Sequence, residues 1–389
     1  MKLWEKNTKL KKEIEDFTVG NDTLLDQTLL PYDCEASIAH AGMLNKIGVL
    51  SNNEFIKLKK CLKEMKEKSL IGEFEIKKED EDGHTAIENY LIHKLGDVGK
   101  KIHTGRSRND QVQVALRLYF KEKLNELLEL CSSYGIEIQD KIKKYGKIKI
   151  PGYTHMQKAM PSSIGLWLGS FNDAMKDNKQ HIENVLDLLD QNPLGSGAGF
   201  GIPVISIDKE FTATKLGFSK VQENSLYVQL SRGKFEGMII AALDMIMLDI
   251  NKLASDLMLF TMPQFQYFSL PDGFCTGSSI MPQKKNYDVL ELMRGKYHIL
   301  LGYEMQIKGV IGNLISGYNR DVQLTKEPIM KSFELVISSV LVMNMIIKNL
   351  IIHKENCENQ LTDELYATEK AYTLVLEGKS FRDAYKEMK

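Results

Sequence analysis

Proline, cysteine and uncompensated charge are all scarce in this 389-residue chain. Only nine prolines occur, none of them between Pro31 and Pro151, between Pro203 and Pro263, or after Pro328. Proline removes an amide donor and clashes with the preceding turn, so its absence permits long helices. The five cysteines, at 34, 61, 131, 275 and 357, are odd in number and scattered, with no CxxC. That excludes a disulfide framework and a zinc ribbon and fits a reducing compartment. Lys+Arg 51 against Asp+Glu 52 leaves a net charge of -1, which excludes the broad basic face of a general nucleic-acid or membrane-surface binder. The most apolar run, 335–352, contains Asn344, Lys348 and Asn349, and reads as a buried bundle helix rather than a membrane span. The first residues, MKLWEKNTKLKKEIEDF, lack an apolar core, so a secretory signal is not expected and a cytoplasmic location is. Sustained β alternation is missing, as are a Walker A loop, a GxGxxG fingerprint and HExxH.

Helical periodicity is abundant. Leu116, Phe120, Leu124, Leu127, Cys131, Tyr134, Ile138, Ile142 and Tyr145 recur at spacings of three and four, one apolar stripe along a helix of roughly eight turns or more. Gly135 interrupts it at a cost of ~1 kcal/mol. Residues 235–259 are apolar nearly all round, which predicts a helix buried on every side, inside a bundle or an oligomer. Residues 291–307 and 331–352 read as further helices. Gly, Pro and Ser concentrate at 105–109, 151–155, 193–203, 271–282 and 312–319, each beside a long helical pattern. The expected architecture is all-α: a long central helix bundle over 106–354, a smaller helical N-terminal domain over 1–105 and a short C-terminal helical region over 355–389.

Five segments concentrate chemistry. GSSIMPQKKN (277–286) offers backbone amides, the hydroxyl of Ser278, Lys284 and Asn286 just before a helix, an inventory that binds anions; ordinary capping is the plainer use of the same residues. In GYTHMQ (152–157), His155 stands between Thr154 and Gln157, near the expected end of a long helix, where an imidazole suits proton transfer. HTGRSRND (103–110) carries two arginines able to grip carboxylates, with Asp110 capping the helix that follows. In EDEDGHTAIE (79–88), His84 and Glu88 fall one turn apart; the acids are favourable at a helix N-terminus without any metal. YNRDVQLTK (318–326) brings Tyr318, Gln323 and Lys326 to the opening of a helix. Cations, amides, hydroxyls and histidines with few apolar side chains suit a small substrate bearing several carboxylates.

Taken in order and spacing, these segments resemble the fumarase/aspartase superfamily, and the QKKN ending resembles its argininosuccinate lyase and δ-crystallin branch. NPLGSGA (192–198) and the segment 26–44 fit as well, so the resemblance spans essentially the whole chain. It implies reversible cleavage of argininosuccinate to arginine and fumarate, a homotetramer with active sites shared among subunits, and no metal or organic cofactor. By resemblance, Ser278 is the general base, Lys284 and Asn286 stabilise the carbanion, and His155, oriented by Glu291, assists the leaving nitrogen. Arg108, Asn109 and Thr154 would bind the fumarate half, Tyr318, Gln323, Lys326 and Asp26 the arginine half, Arg232 a carboxylate, with His84 nearby. The competing readings are another fumarate-releasing lyase of the superfamily and a catalytically silent, crystallin-like relative. Four departures stand out: Tyr287 replaces a proline, Asp22 replaces a serine, three acids around Arg232 are Tyr227, Ser231 and Gly233, and the chain stops at Lys389, sooner than its relatives.

Overall fold

A computed structural model describes residues 11–388. Helices dominate, as the proline spacing predicts: Asp22–Lys46, Arg108–Tyr145, Ile164–Leu189, Lys234–Phe260, Asp288–Ile311 and Lys326–Asn349 are each 24 residues or longer. Gly135 does not break the 38-residue helix Arg108–Tyr145, and its apolar stripe is buried from Leu116 to Ile138. Pro31 does not end its helix either but lies inside Asp22–Lys46, among residues that are almost all buried. Tertiary packing there outweighs a local cost of ~3 kcal/mol.

The chain divides into two compact units. The first contains the residues up to Asn125, Glu183–Ile240 and Tyr303–Lys331; the second contains Glu126–Ile182, Ala241–Gly302 and the residues from Ser332 onward. In the first, Leu30, Leu44, Leu58, Leu62, Met65, Ile87 and Leu91 form a continuous core. A capping box at Ser51 and Glu54 starts the helix Asn52–Leu70, and the Asp82 carboxylate accepts from Thr85 N at 2.8 Å to start Gly83–Leu95. The acids before that helix therefore do a capping job.

In the second unit an aromatic cluster takes the place of a sheet-like core. The Trp167 ring stacks on Phe268 at 4.9 Å between centroids, and Phe260 and Tyr267 pack around it. Trp167 Nε1 donates to Asp256 at 2.9 Å, and the Tyr153 and Tyr267 hydroxyls share a hydrogen bond of 2.8 Å. The second contact holds a feature absent from the helical expectation, an antiparallel hairpin of Lys149–Thr154 with Gln157–Ser163.

Asp110 fixes the loop 193–203 in the first unit. It is wholly buried and accepts amide hydrogens from Ser107 at 2.9 Å, Gly195 at 3.1 Å and Gly197 at 2.9 Å. Both glycines have positive φ, +96° and +59°, the backbone needed to aim two amides at one carboxylate. Burial raises the Asp110 carboxyl to about 6, against the pull of these donors. Asp110→Ala strands these amides, at ~1 kcal/mol or more each. The expected outcome is a loss of about 3 kcal/mol, seen as a lower urea midpoint at unchanged slope.

Candidate active site

Eight of the fourteen residues proposed from sequence converge on one cavity of about 210 Å³ in the first unit: Asp26, His84, Arg108, Asn109, Arg232, Tyr318, Gln323 and Lys326. Asp82, Val112 and Arg320 complete the lining. The cavity is polar because three separated segments each deliver charge. The long helix Asp22–Lys46 supplies Asp26, the N-terminus of Gly83–Leu95 supplies His84, and the turn Arg320–Thr325 with the following helix supplies Gln323 and Lys326.

Lys326 is 2% exposed, and its ammonium lies 2.7 Å from Asp22 and 2.8 Å from Asp26. Burial alone would lower its pKa; the two carboxylates reverse that and raise it, so the lysine is charged. Burial likewise opposes ionisation of Asp26, but Lys326, His84 and the Gly83 amide, 3.0 Å away, outweigh it and hold the carboxyl below its ordinary value. At Asp22 burial wins and the carboxyl is raised. Asp22 also accepts from Gln323 Nε2 at 2.7 Å. Asp22 thus positions two expected substrate-binding residues at once.

Arg232 is 5% exposed, and its Nε and Nη2 have no hydrogen-bond partner. Its guanidinium lies 5.9 Å from the Tyr318 ring. A buried guanidinium with unspent donors costs free energy unless an anion completes it. The acids missing around it have a local explanation at Gly233, where φ is +82° and a Cβ would lie 2.2 Å from Ile311 Cγ2. The Gly233 amide donates instead to the buried Glu236, at 2.7 Å.

The two arginines of the 103–110 segment separate. Arg106 is buried and donates to Ser37 at 2.8 Å, away from the cavity. Arg108 lines the cavity, 3.2 Å from Asp82 and 3.6 Å from Glu81, and donates to Thr85 Oγ1 at 2.8 Å. His84 Nδ1 sits 2.5 Å from Asp33. Burial by itself pushes the imidazole down; Asp33, Asp82 and Asp26 reverse this and raise it.

The other six proposed residues, Thr154, His155, Ser278, Lys284, Asn286 and Glu291, belong to the second unit. Ser278 and Lys284 lie on the loop between two paired strands, Thr276–Gly277 and Lys285–Asn286. Ser278 Oγ accepts the amides of Ile280 at 3.3 Å and Met281 at 3.0 Å, so the loop is a closed turn with its amides directed at one oxygen. Among the described residues Lys284 makes no ion pair, whereas Lys285 is 2.5 Å from Asp272. Helix Asp288–Ile311 begins directly after Tyr287, whose carbonyl accepts from the Leu290 amide at 2.9 Å, so the missing proline does not delay it. Glu291 is exposed on its first turn.

His155 is not near a helix end. It and Met156 form the two-residue turn of the hairpin, with φ of +53° and +62°. Such turns favour Asn-Gly, and positive φ at two ordinary side chains is strain that the flanking strands and the Tyr153–Tyr267 contact must hold. The turn leaves the imidazole exposed. Sequence reasoning assigned no role to Arg320, Asp33 or Asp82. Arg320 stood in the 318–326 segment, and its place in the cavity wall is the signal that picks it out.

The residues 2–302 match a family model described as lyase. Over 385 residues the chain is 45% identical to an argininosuccinate lyase of Thermotoga neapolitana, covering 99% of this chain and 96% of that protein. It is 40% identical to an argininosuccinate lyase of Sorangium cellulosum, covering 100% and 90%. By fold it is similar to a crystal structure of EDDS lyase in complex with formate, with a TM-score of 0.83 and 23% identity over 98% of this chain and 76% of that one. A class II fumarase from Schistosoma mansoni shares the fold at a TM-score of 0.81 and 16% identity, over 96% and 91%.

The His84–Asp33 pair makes stability depend on pH with a definite sign. A histidine whose folded pKa is raised contributes stability that is complete below its unfolded value of ~6.5 and is lost as pH rises through the folded pKa. Thermal unfolding from pH 5.5 to 8.5 should show that alkaline decline, and His84→Gln should flatten it; an unchanged slope refutes a charged His84.

Proposed function

The chain belongs to the argininosuccinate lyase family, and on that footing we propose that it cleaves argininosuccinate reversibly to arginine and fumarate. The observation that carries the reading is the polar cavity that gathers Arg108, Arg232, Gln323 and Lys326, with two buried N–H donors of Arg232 lacking a hydrogen-bond partner. A substrate with three carboxylates supplies the missing acceptor. Arg232 then takes a carboxylate, Arg108, Asn109 and Thr154 hold the fumarate half, and Tyr318, Gln323, Lys326 and Asp26 hold the arginine half, with His84 beside them.

Ser278 removes the proton from the carbon next to a carboxylate. Two amides already point at its oxygen, which lowers the cost of negative charge there. The aci-carboxylate that forms is stabilised by Lys284, Asn286 and the loop amides. The C–N bond then breaks and the electron pair leaves with the guanidinium nitrogen, to which His155, oriented by Glu291, assists proton delivery. With Lys284 and Arg232, which make no ion pair among the described residues, to meet the anionic charge, the reaction as proposed uses no metal or organic cofactor.

The active site is proposed to be shared among subunits of a homotetramer in the cytoplasm, with the domain division at 105/106 and 354/355 retained. Apolar side chains left uncovered along the long helices support assembly: Leu292 is 65% exposed, Met305 77% and Met345 49%. The helix Lys234–Phe260, expected to be buried on all sides, is buried except for a strip that includes Met245. Among the described residues, helix Lys326–Asn349 belongs to the one segment long and apolar enough to span a bilayer, with just over half of that window, 56%, buried within the chain; its burial favours a bundle role.

Fumarate absorbance after addition of argininosuccinate tests the activity. Ser278→Ala should lose about 10²–10⁴-fold in kcat with the fold intact; near-native kcat would remove Ser278 from its role. Mixing Ser278→Ala with His155→Asn subunits should restore part of the activity through hybrid sites. No recovery after confirmed subunit exchange would contradict shared sites.

A further inference from the structure

A second cavity of the first unit measures about 690 Å³, within the range of pockets that hold small organic ligands. None of its lining residues lines the cavity containing Lys326. Five lysines surround it, Lys46, Lys59, Lys63, Lys66 and Lys215, over a floor that includes the rings of Phe55 and Phe211. Lys59, Lys63 and Lys66 stand at i, i+4 and i+7 on helix Asn52–Leu70, so one helical face delivers three ammonium groups. Lys46 and Lys215 come from the last turns of Asp22–Lys46 and Lys209–Leu216, where the helix dipole favours a cation.

Capping explains the last two lysines and leaves the stripe unexplained, since like charges one turn apart repel. Local acids answer only part of the charge. Lys66 pairs with Glu35 at 2.8 Å and Lys46 with Asp208 at 2.6 Å. Among the described residues Lys59, Lys63 and Lys215 make no ion pair, so five lysines against Glu35 and Asp208 leave three positive charges at one cavity. The rings are part of the same site: Lys46 and Lys215 lie 5.3 and 5.5 Å from the Phe211 centroid, and Lys59 lies 5.8 Å from that of Phe55. Gly42 lies between the rings, and a Cβ there would come within 3.2 Å of Phe211 and 3.6 Å of Phe55. The glycine lets the floor sit close to the helix and stay clear.

We propose that this cavity binds a planar organic polyanion of the nucleoside di- or triphosphate class, its ring against Phe55 and Phe211 and its phosphates on Lys59, Lys63 and Lys215. The ligand occupies the protein together with substrate, because the two cavities share no residue.

Calorimetric titration of the full chain with ATP, tripolyphosphate and adenosine tests this. ATP is expected to bind with a Kd of about 1 mM or tighter at low salt, more tightly than either fragment, and to weaken as salt screens the lysines. The triple variant Lys59→Ala, Lys63→Ala, Lys215→Ala, all at exposed side chains, should weaken ATP at least about tenfold, one step of 1.4 kcal/mol. Phe211→Leu should weaken ATP and leave tripolyphosphate unchanged. Saturating argininosuccinate should leave ATP binding intact. Absence of ATP binding, equal binding by the triple variant, equal binding of ATP and tripolyphosphate, or displacement by argininosuccinate would each overturn the proposal. These readouts do not require the chain to be a lyase, so they stand apart from the activity assay.

Discussion

Lys326, buried between Asp22 and Asp26, is the contact on which the candidate site depends, because it ties together segments 300 residues apart. A buried ion cluster of this kind gives little net stability, since desolvation offsets most of the attraction. It does fix geometry. Any shift of the helix bearing Asp26 relative to the helix bearing Lys326 would leave a charge buried and unpaired, so the register between them has one acceptable value. Gln323 and the Gly83 amide are satisfied by the same two acids. The placement of the turn that carries Gln323 and of the helix that carries His84 therefore follows from this pairing.

Electrostatics divide the cavity's cations into paired and unpaired groups. Lys326 and Arg108 already have carboxylate partners, while Arg232 retains two buried donors with none. A ligand carboxylate gains most from donors that no protein group already satisfies, which singles out Arg232 even though Glu236 and Asp22 lie within reach of its charge. The departure at Asp22 adds one negative charge beside Lys326 and so directs an incoming anion toward Arg232 rather than toward the lysine.

The helices were legible in the sequence because few prolines and a steady three-four spacing are local signals. Pro31 shows their limit: its helix continues through it, and only the burial around it says why. The site was legible as separate motifs. Their convergence was not, since Asp26, His84, Arg108 and Lys326 share no local pattern and meet only through tertiary packing. Arg106 and Arg108 look equivalent in sequence, yet a contact with Ser37 buries the first and leaves the second to the cavity. The hairpin at His155 was missed for a related reason. Its turn lacks the Asn-Gly that marks such turns, and the aromatic contacts that hold it come from residues more than a hundred positions away.

The central claim is that the cavity beside Lys326 takes a substrate carboxylate at Arg232. Crystals of the Ser278→Ala protein grown with argininosuccinate test it most directly. The account predicts a substrate carboxylate at about 2.7–2.9 Å from Arg232 Nε or Nη2, the spacing of a charge-assisted hydrogen bond, with the arginine half against Gln323 and Lys326. Substrate bound elsewhere, with both Arg232 donors still unmet, would contradict it.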